Sequence, residues 1–483
     1  MALTKVYTNM IADTAISVQS YGAKGDGVTD DSAAINAAIT ALGYAYLPKP
    51  AVSYYVANPI LVNTNQKVFG DASGFYGAES VGYVPLILAK RGAPAIWIQT
   101  GFCEVSNVSI QFDKADKTNF SNTEDVGIRV RAINAFSPNP PASWDWTPVV
   151  LMENITISRA YMSIEMEAVY RGSLSQINTY YDKFGVSLNY YQSIANGGGA
   201  VPKYATTMWY TDVYCRGATG AVVPPPAGGF GFWGSDNKDL SITNCVVENY
   251  DQAIYMFNTS SGTMRNLSSE GCSKGVDLQG NLTPFIVENP FILYQTATTS
   301  TYAFTGNFGE ITFIGGSASL FSSATCVFFK PVVGGTNSKA TFLKKPGLVN
   351  AFLTPYAGSV YDVNDYSGGV FPDNSLMING GMVFQNTFSS LVSGVATKIT
   401  PVASTATGGG GIVHITSYST KSPGPSDYQA LVSFMPSYVN IIWQSNNSGG
   451  TVAYSTVAGA LYITSTGTTS QLLQEVNARG IIN

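Results

Sequence analysis

Five short stretches decide the fold: NITIS (154–158), NTYYD (178–182), DVYCR (212–216), NCVVE (244–248) and NLSSE (266–270). Aligned on their first residue, they give a polar column Asn154, Asn178, Asp212, Asn244, Asn266, at intervals of 24, 34, 32 and 22 residues. The column four residues on reads Ser158, Asp182, Arg216, Glu248, Glu270, and the column ten residues on is apolar: Ile164, Leu188, Val222, Ile254, Val276. Units of this length with variable insertions are those of a solenoid. Within each unit the alternation has period two, which predicts half-buried strands. Offsets one and three are then inward (Ile155/Ile157, Thr179/Tyr181, Val213/Cys215, Cys245/Val247, Leu267/Ser269), and offsets zero, two and four outward. Stacking coils about 4.8 Å apart turns each column into a row on one surface.

Composition restricts the function. Charged residues are 11% of the 483, with 49 Gly and 29 Tyr, so the surface is built from Ser, Thr, Asn, Gly and Tyr. Such a surface suits sugars better than phosphates, and a net charge of −5 without a basic stripe argues against nucleic acid. Residues 1–12 contain no apolar core of signal-peptide length, and no apolar run reaches the roughly 18 residues that span a bilayer, so no membrane partner and no export by that route are expected. Cys103, Cys215, Cys245, Cys272 and Cys326 are odd in number and lack metal-type spacing, which predicts small core residues. The single histidine, His414, in the strand-like IVHIT (412–416), is expected to be structural. No metal site and no cofactor are expected.

Residues 16–42, ISVQSYGAKGDGVTDDSAAINAAITAL, read as a strand, a Gly-rich turn and a helix that Asp30 or Asp31 caps and Ile35, Ala38, Ile39 and Leu42 bury. GAKGDG is not a P-loop, because the Lys-Ser/Thr ending is missing and two aspartates would repel a phosphate. With the following YAYLPKPAVSYYVANPILVNTNQKVFGD (44–71), this stretch closely resembles the opening of the pectate-lyase-like parallel β-helix family, in which a strand and an amphipathic helix cap the first coil. The resemblance covers about residues 13–90 by motif and reaches about 300 by repeat. It implies an all-β right-handed parallel β-helix. Pectinases, epimerases and phage tailspike depolymerases share the cap, so it does not settle chemistry.

The missing secretion signal points toward the tailspike branch. After linker-like stretches at 334–347 and 361–375, residues 376–483 switch to short strands with Gly/Ser/Thr turns, such as GIVHITSYST (411–420) and VNIIWQSN (439–446), which predicts a C-terminal β-sandwich. The expected domains are 1–45 (N-terminal peptide and cap), 46–375 (β-helix) and 376–483 (trimerisation or carbohydrate binding). The resemblance implies a homotrimer on a virion that docks to other phage tail proteins through its N-terminus.

The candidate site is the outward row Asp182, Arg216, Glu248, Glu270, flanked by Tyr180 and Tyr214, with Tyr255 as a further stacking ring. Carboxylates, a guanidinium and aromatic faces in one groove are what glycan binding and acid/base chemistry need. Glu248 and Glu270, one coil apart, suit the short separation of a retaining pair, whereas Asp182 and Glu248, two coils apart, lie at the long edge of an inverting one. Asp251, three residues past Glu248, is a further candidate acid. Glu165 and Asp277 belong to a different face. A site between subunits would draw on Asp113, Asp116, Glu124 or Asp125. The expected activity is hydrolysis of a bacterial surface polysaccharide, capsule or O-antigen. The alternatives are a lyase eliminating at uronates, with Arg216 or a Tyr as base or charge neutraliser, and a noncatalytic glycan-binding spike.

Overall fold

The computed structural model describes residues 15–71, 85–131 apart from 115, 117 and 118, 147–190, 205–217, 228–280, 284–294, 302–307, 310–320, and the strands within 327–482. Two compact units result: Met1–Ile311 with Gly316–Thr336 and Gly347–Ser359, and Thr312–Gly315 with Asn337–Pro346 and Val360–Asn483.

The first unit is a parallel β-helix. One coil runs through strands Leu240–Thr243, Val246–Glu248 and Gln252–Phe257, and the next through Gly262–Arg265, Ser268–Glu270 and Lys274–Gln279. They pair in parallel register, Leu240 with Gly262, Val246 with Ser268 and Gln252 with Lys274. The first two strands of each coil belong to one bent sheet and the third to a second sheet.

The bend explains the polar column. Asn154, Asp212, Asn244 and Asn266 all have φ between 51° and 54°, the left-handed conformation that turns the chain between the two limbs of the bent sheet. Asn and Asp tolerate it because a short polar side chain bonds locally. The amides then stack, Asn154 Nδ2 donating to Asn107 Oδ1 at 2.6 Å and Asn266 Nδ2 to Asn244 Oδ1 at 3.0 Å.

One coil departs from the alignment predicted above. Its bend is Gln176 (φ 55°), not Asn178, and Ile177 pairs with Ile155 and with Val213. The inward pair there is therefore Ile177 and Thr179, both fully buried like Ile155, Ile157, Cys245 and Val247. The apolar column shifts as well: Ile164, Val186, Phe232, Ile254 and Val276 are in register, so Leu188 is displaced by two, and Val222 lies outside the described residues. At Gly231 a Cβ would sit 2.2 Å from Val247 Cγ1, so only glycine lets the second sheet approach the bent one at that point.

The capping helix forms as the motif predicts, with the two aspartates dividing the work, but the strand expected before it is instead a 3-10 turn, Val18–Tyr21, preceded by a single bridge from Ser17 to Tyr46. The helix is Ser32–Leu42, burying Ile35, Ala38 and Ile39, while Leu42 is only partly buried. Asp30 Oδ1 accepts the Ser32 amide at 3.0 Å and the Ala57 amide at 3.1 Å, tying the helix start to the first coil. Asp31, at the N-cap position, turns back to accept Lys24 N at 2.6 Å and Gly25 N at 3.1 Å, closing the Gly-rich turn.

In the second unit, Gly411–Ser419 pairs antiparallel with Tyr428–Met435 and with Leu473–Ile482, and Thr451–Val457 pairs with Ala460–Thr466. Val413, Ile415, Ala430, Val432, Leu461 and Ile463 are fully buried there. His414 stands opposite Leu431 and Arg479 in this ladder. Cys103, Cys215, Cys245 and Cys272 are free and buried, and Cys326 lies outside the described residues. Among the described residues no helix is long and apolar enough to cross a membrane.

Candidate functional site

The outer row of the bent sheet reads Ser158, Tyr180, Arg216, Glu248, Glu270. Four of the predicted residues, Arg216, Glu248, Glu270 and Tyr214, come together as the spacing required. Tyr180 stands in the row itself, two positions from its predicted column, but it is buried at 4% exposure with its ring 5.6 Å from that of Tyr214, so its predicted role as a sugar-stacking face is corrected. Tyr214 occupies the parallel row Asn178, Tyr214, Val246, Ser268.

Asp182 is not in the row. Tyr181 has φ 55°, a second left-handed corner equivalent to Asn249 in a later coil, and the chain turns inward immediately after it. Asp182 is thereby fully buried. It accepts a hydrogen bond from Tyr250 Oη on Oδ1 and from Ser163 Oγ at 2.5 Å on Oδ2. Burial pushes its carboxyl up to about 6. A side chain enclosed in this way is a core carboxyl that no polymer touches, so its placement in the outward groove is corrected.

Within the row, Glu248 is the hub. Its Oε2 accepts the Tyr214 hydroxyl at 2.8 Å and lies 3.6 Å from Arg216 Nε. The Tyr214 phenol is pushed well above its usual range, first by burial and then by the Glu248 carboxylate. Glu270 is the register neighbour of Glu248, and its Oε1 accepts Ser268 Oγ at 3.2 Å. Arg216 keeps 41% of its side chain exposed and Glu248 23%, so both are reachable from solvent. Beside Tyr214 a cleft of about 320 Å³ opens along the bend, lined by Gln176, Asn178, Asp212 and Asn244 among others.

Two further predicted residues lie elsewhere. Asp251 follows the corner at Asn249, where Oδ2 accepts Gly228 N at 3.1 Å and pairs with Lys274 Nζ at 3.4 Å rather than with the Glu248 row. Tyr255 belongs to the second sheet, because its strand follows that corner. It stands in register between Trp233 and Asp277 and packs on Phe230 (5.9 Å) and Trp233 (6.1 Å). It is a stacking ring on a different face from Arg216.

That second face was underread in the sequence. Glu165, Ser187, Trp233, Tyr255 and Asp277 form one column, at whose start Glu165 is fully buried between Arg129 (2.8 Å) and Arg131 (3.2 Å), with Glu124 closing on Arg129 at 2.7 Å. Asp277, at its other end, has its carboxyl pushed up to about 6 by burial. The signal was the alternation in FGFWGS (230–235), QAIYMF (252–257) and KGVDLQ (274–279), which sets aromatic and acidic residues on one side. Glu124 and Asp125, weighed for a shared site, are engaged within the chain: Asp125 is fully buried and holds Arg91 at 3.0 Å and the Gly92 amide at 2.8 Å.

Comparison with known proteins matches the N-terminal part of this architecture. Residues 15–81 fit the family model described as Rhamnogalacturonase A/epimerase, pectate lyase-like, in agreement with the resemblance read from the cap motif. No curated protein matches the chain. Among solved structures, the chain is similar to DFA-IIIase from Arthrobacter chlorophenolicus A6 without its lid, at 11% identity over 73% of this chain and 94% of that one, with a TM-score of 0.52. It also aligns with the tailspike protein of Acinetobacter phage vB_ApiP_P1 at 12% identity, over 97% and 87% of the two chains, with a TM-score of 0.40. A third alignment is to tailspike protein gp49 of Acinetobacter baumannii bacteriophage Fri1, a capsular polysaccharide depolymerase, at 12% identity, 94% and 83% coverage and a TM-score of 0.33. At these identities the likeness is one of fold.

Proposed function

We propose that the protein is a phage tailspike depolymerase that hydrolyses glycosidic bonds of a bacterial surface polysaccharide, capsule or O-antigen. The observation that carries this is Glu248 and Glu270 in register on an outward row, with Tyr214 bonded to Glu248 at 2.8 Å. Neighbouring strands stand about 4.8 Å apart, near the ~5 to 5.5 Å between carboxyl groups that work by double displacement.

Glu248 takes the anionic role, because a phenol and a guanidinium are both aimed at one of its oxygens. It attacks the anomeric carbon while Glu270 transfers a proton to the departing glycosidic oxygen, and the bond between that oxygen and the anomeric carbon breaks. Glu270, now ionised, takes a proton from water, whose oxygen displaces Glu248 and restores the starting enzyme. Tyr214, only partly buried, offers a ring face to an adjoining sugar, while Tyr180 packs behind it. The elimination alternative would use Arg216 or a tyrosine as base or charge neutraliser, and both Arg216 and Tyr214 here face Glu248.

The tailspike assignment carries with it the homotrimer, docking to other phage tail proteins through the N-terminus, and a C-terminal unit that trimerises or binds carbohydrate. A time course on a panel of capsular polysaccharides tests the activity, reading polymer size, reducing ends and ultraviolet absorbance. New reducing ends without absorbance, lost in Glu248→Gln and Glu270→Gln, support hydrolysis at this row. Absorbance rising with depolymerisation means a lyase, and binding without cleavage across the panel means a noncatalytic spike.

A further inference from the structure

We infer that the cleft along the bend beside Tyr214 is a sugar subsite selective for uncharged rings, and that uronate-bearing repeats are excluded from it. This rests on the placement of the cleaving pair at Glu248 and Glu270. The cleft, about 320 Å³, lies at the small end of the range for ligand pockets and takes one or two sugar rings.

Its position follows from the fold. The left-handed corners at Asn154, Gln176, Asp212 and Asn244 set their polar side chains along one edge, and the next outward row supplies Asn178, Tyr214 and Val246. No hydrogen bond among the described residues engages the side chains of Gln176, Asn178 or Asp212. They present amide donors, amide acceptors and one carboxylate to whatever enters, while Tyr214 and Val246 provide an apolar floor. Hydroxyl and N-acetyl groups match such a lining, each finding donors and acceptors without a counter-charge.

Charge decides against an acidic ring. Asp212 is exposed in the cleft wall, and the Glu248/Glu270 pair continues from Tyr214. Arg216, in the row next to Tyr214, faces Glu248 at 3.6 Å, and Arg265, opposite Thr243, is held by Glu288 at 2.6 Å. A uronate carboxylate entering the cleft would meet Asp212 in the wall and the Glu248/Glu270 pair beyond Tyr214, and no Lys or Arg is among the described residues that line the cleft. Partly screened like-charge repulsion at this range weakens binding about tenfold.

The test is binding of Glu270→Gln protein to an array of bacterial surface oligosaccharides sorted by charge, alongside the double variants that add Asp212→Asn or Val246→Phe. Asn fits the left-handed corner, as Asn154, Asn244 and Asn266 do, so Asp212→Asn keeps the bend intact. Uncharged repeats should dominate the binders. Asp212→Asn should raise uronate binding about tenfold with little change for uncharged repeats, and Val246→Phe, filling the cleft floor, should weaken uncharged repeats at least about tenfold with circular dichroism preserved. Equal or tighter binding of uronates, indifference to both substitutions, or no binding to any member overturns the inference. Reducing ends are scored separately on wild-type protein. Selective binding without cleavage overturns the hydrolase and leaves the subsite, and cleavage without the charge preference does the reverse.

Discussion

Replacing Asp182 by asparagine separates a core carboxyl from a catalytic one, and its size follows from the burial of the group. Asp182 is fully enclosed between Tyr250 and Ser163, and its carboxyl rises from its ordinary 3.8 to about 6 in the folded chain. Since the folded value is the higher one, the folded state binds the extra proton. The stability this carboxyl contributes is complete below about pH 4 and is lost as pH rises through 6. The gap between the two values corresponds to about 3 kcal/mol. Asparagine has nearly the same shape, still accepts one hydroxyl and never ionises. In urea denaturation followed by tryptophan fluorescence from pH 4 to pH 8, wild type minus Asp182→Asn should therefore fall by about 2.5 kcal/mol, while depolymerisation at pH 7 stays within a factor of about two. A difference that is flat with pH would refute the burial argument. Activity lost in a folded Asp182→Asn protein would return this residue to the site.

Tyr214→Phe removes a 2.8 Å hydrogen bond to a carboxylate, worth about 1.5 to 3 kcal/mol, so kcat/KM on the polysaccharide should drop about 10- to 100-fold with circular dichroism unchanged. Glu165→Gln removes the buried carboxylate that Arg129 and Arg131 share, leaving Arg129 paired with Glu124, and chemical denaturation should show a loss of about 3 to 5 kcal/mol. Gly231→Ala forces a methyl against Val247 and should cost about 1 to 3 kcal/mol, measured the same way.

The solenoid was legible because its repeat is physical: left-handed corners favour Asn and Asp, and parallel strands bury every second residue. The same logic misplaced one coil. Gln176 takes a bend that Asn fills elsewhere, and Asn178, two residues on, is the more natural corner by residue type. A slip of two preserves the inside-outside parity, so Thr179 stayed inward, while the residues at the end of the strand were misplaced: Tyr181 is a corner, Asp182 is enclosed and Leu188 is displaced from the apolar column. Tyr255 and Asp251 failed for another reason: each follows a short turn that carries the chain toward the other sheet, and a column of residues contains no record of how sharply the backbone turns.

By itself the sequence determined the coil, the capping helix, the outward row through Arg216, Glu248 and Glu270, and the tyrosine beside it, because each follows from local conformational preference and period-two burial. Only the tertiary structure decided which carboxylates face solvent and which are enclosed. The corner at Tyr181 sends Asp182 into the core, and the register of neighbouring coils brings the Tyr214 hydroxyl onto Glu248. Both depend on the pairing of residues 32 to 36 apart, where insertions of different length remove any fixed spacing from the chain.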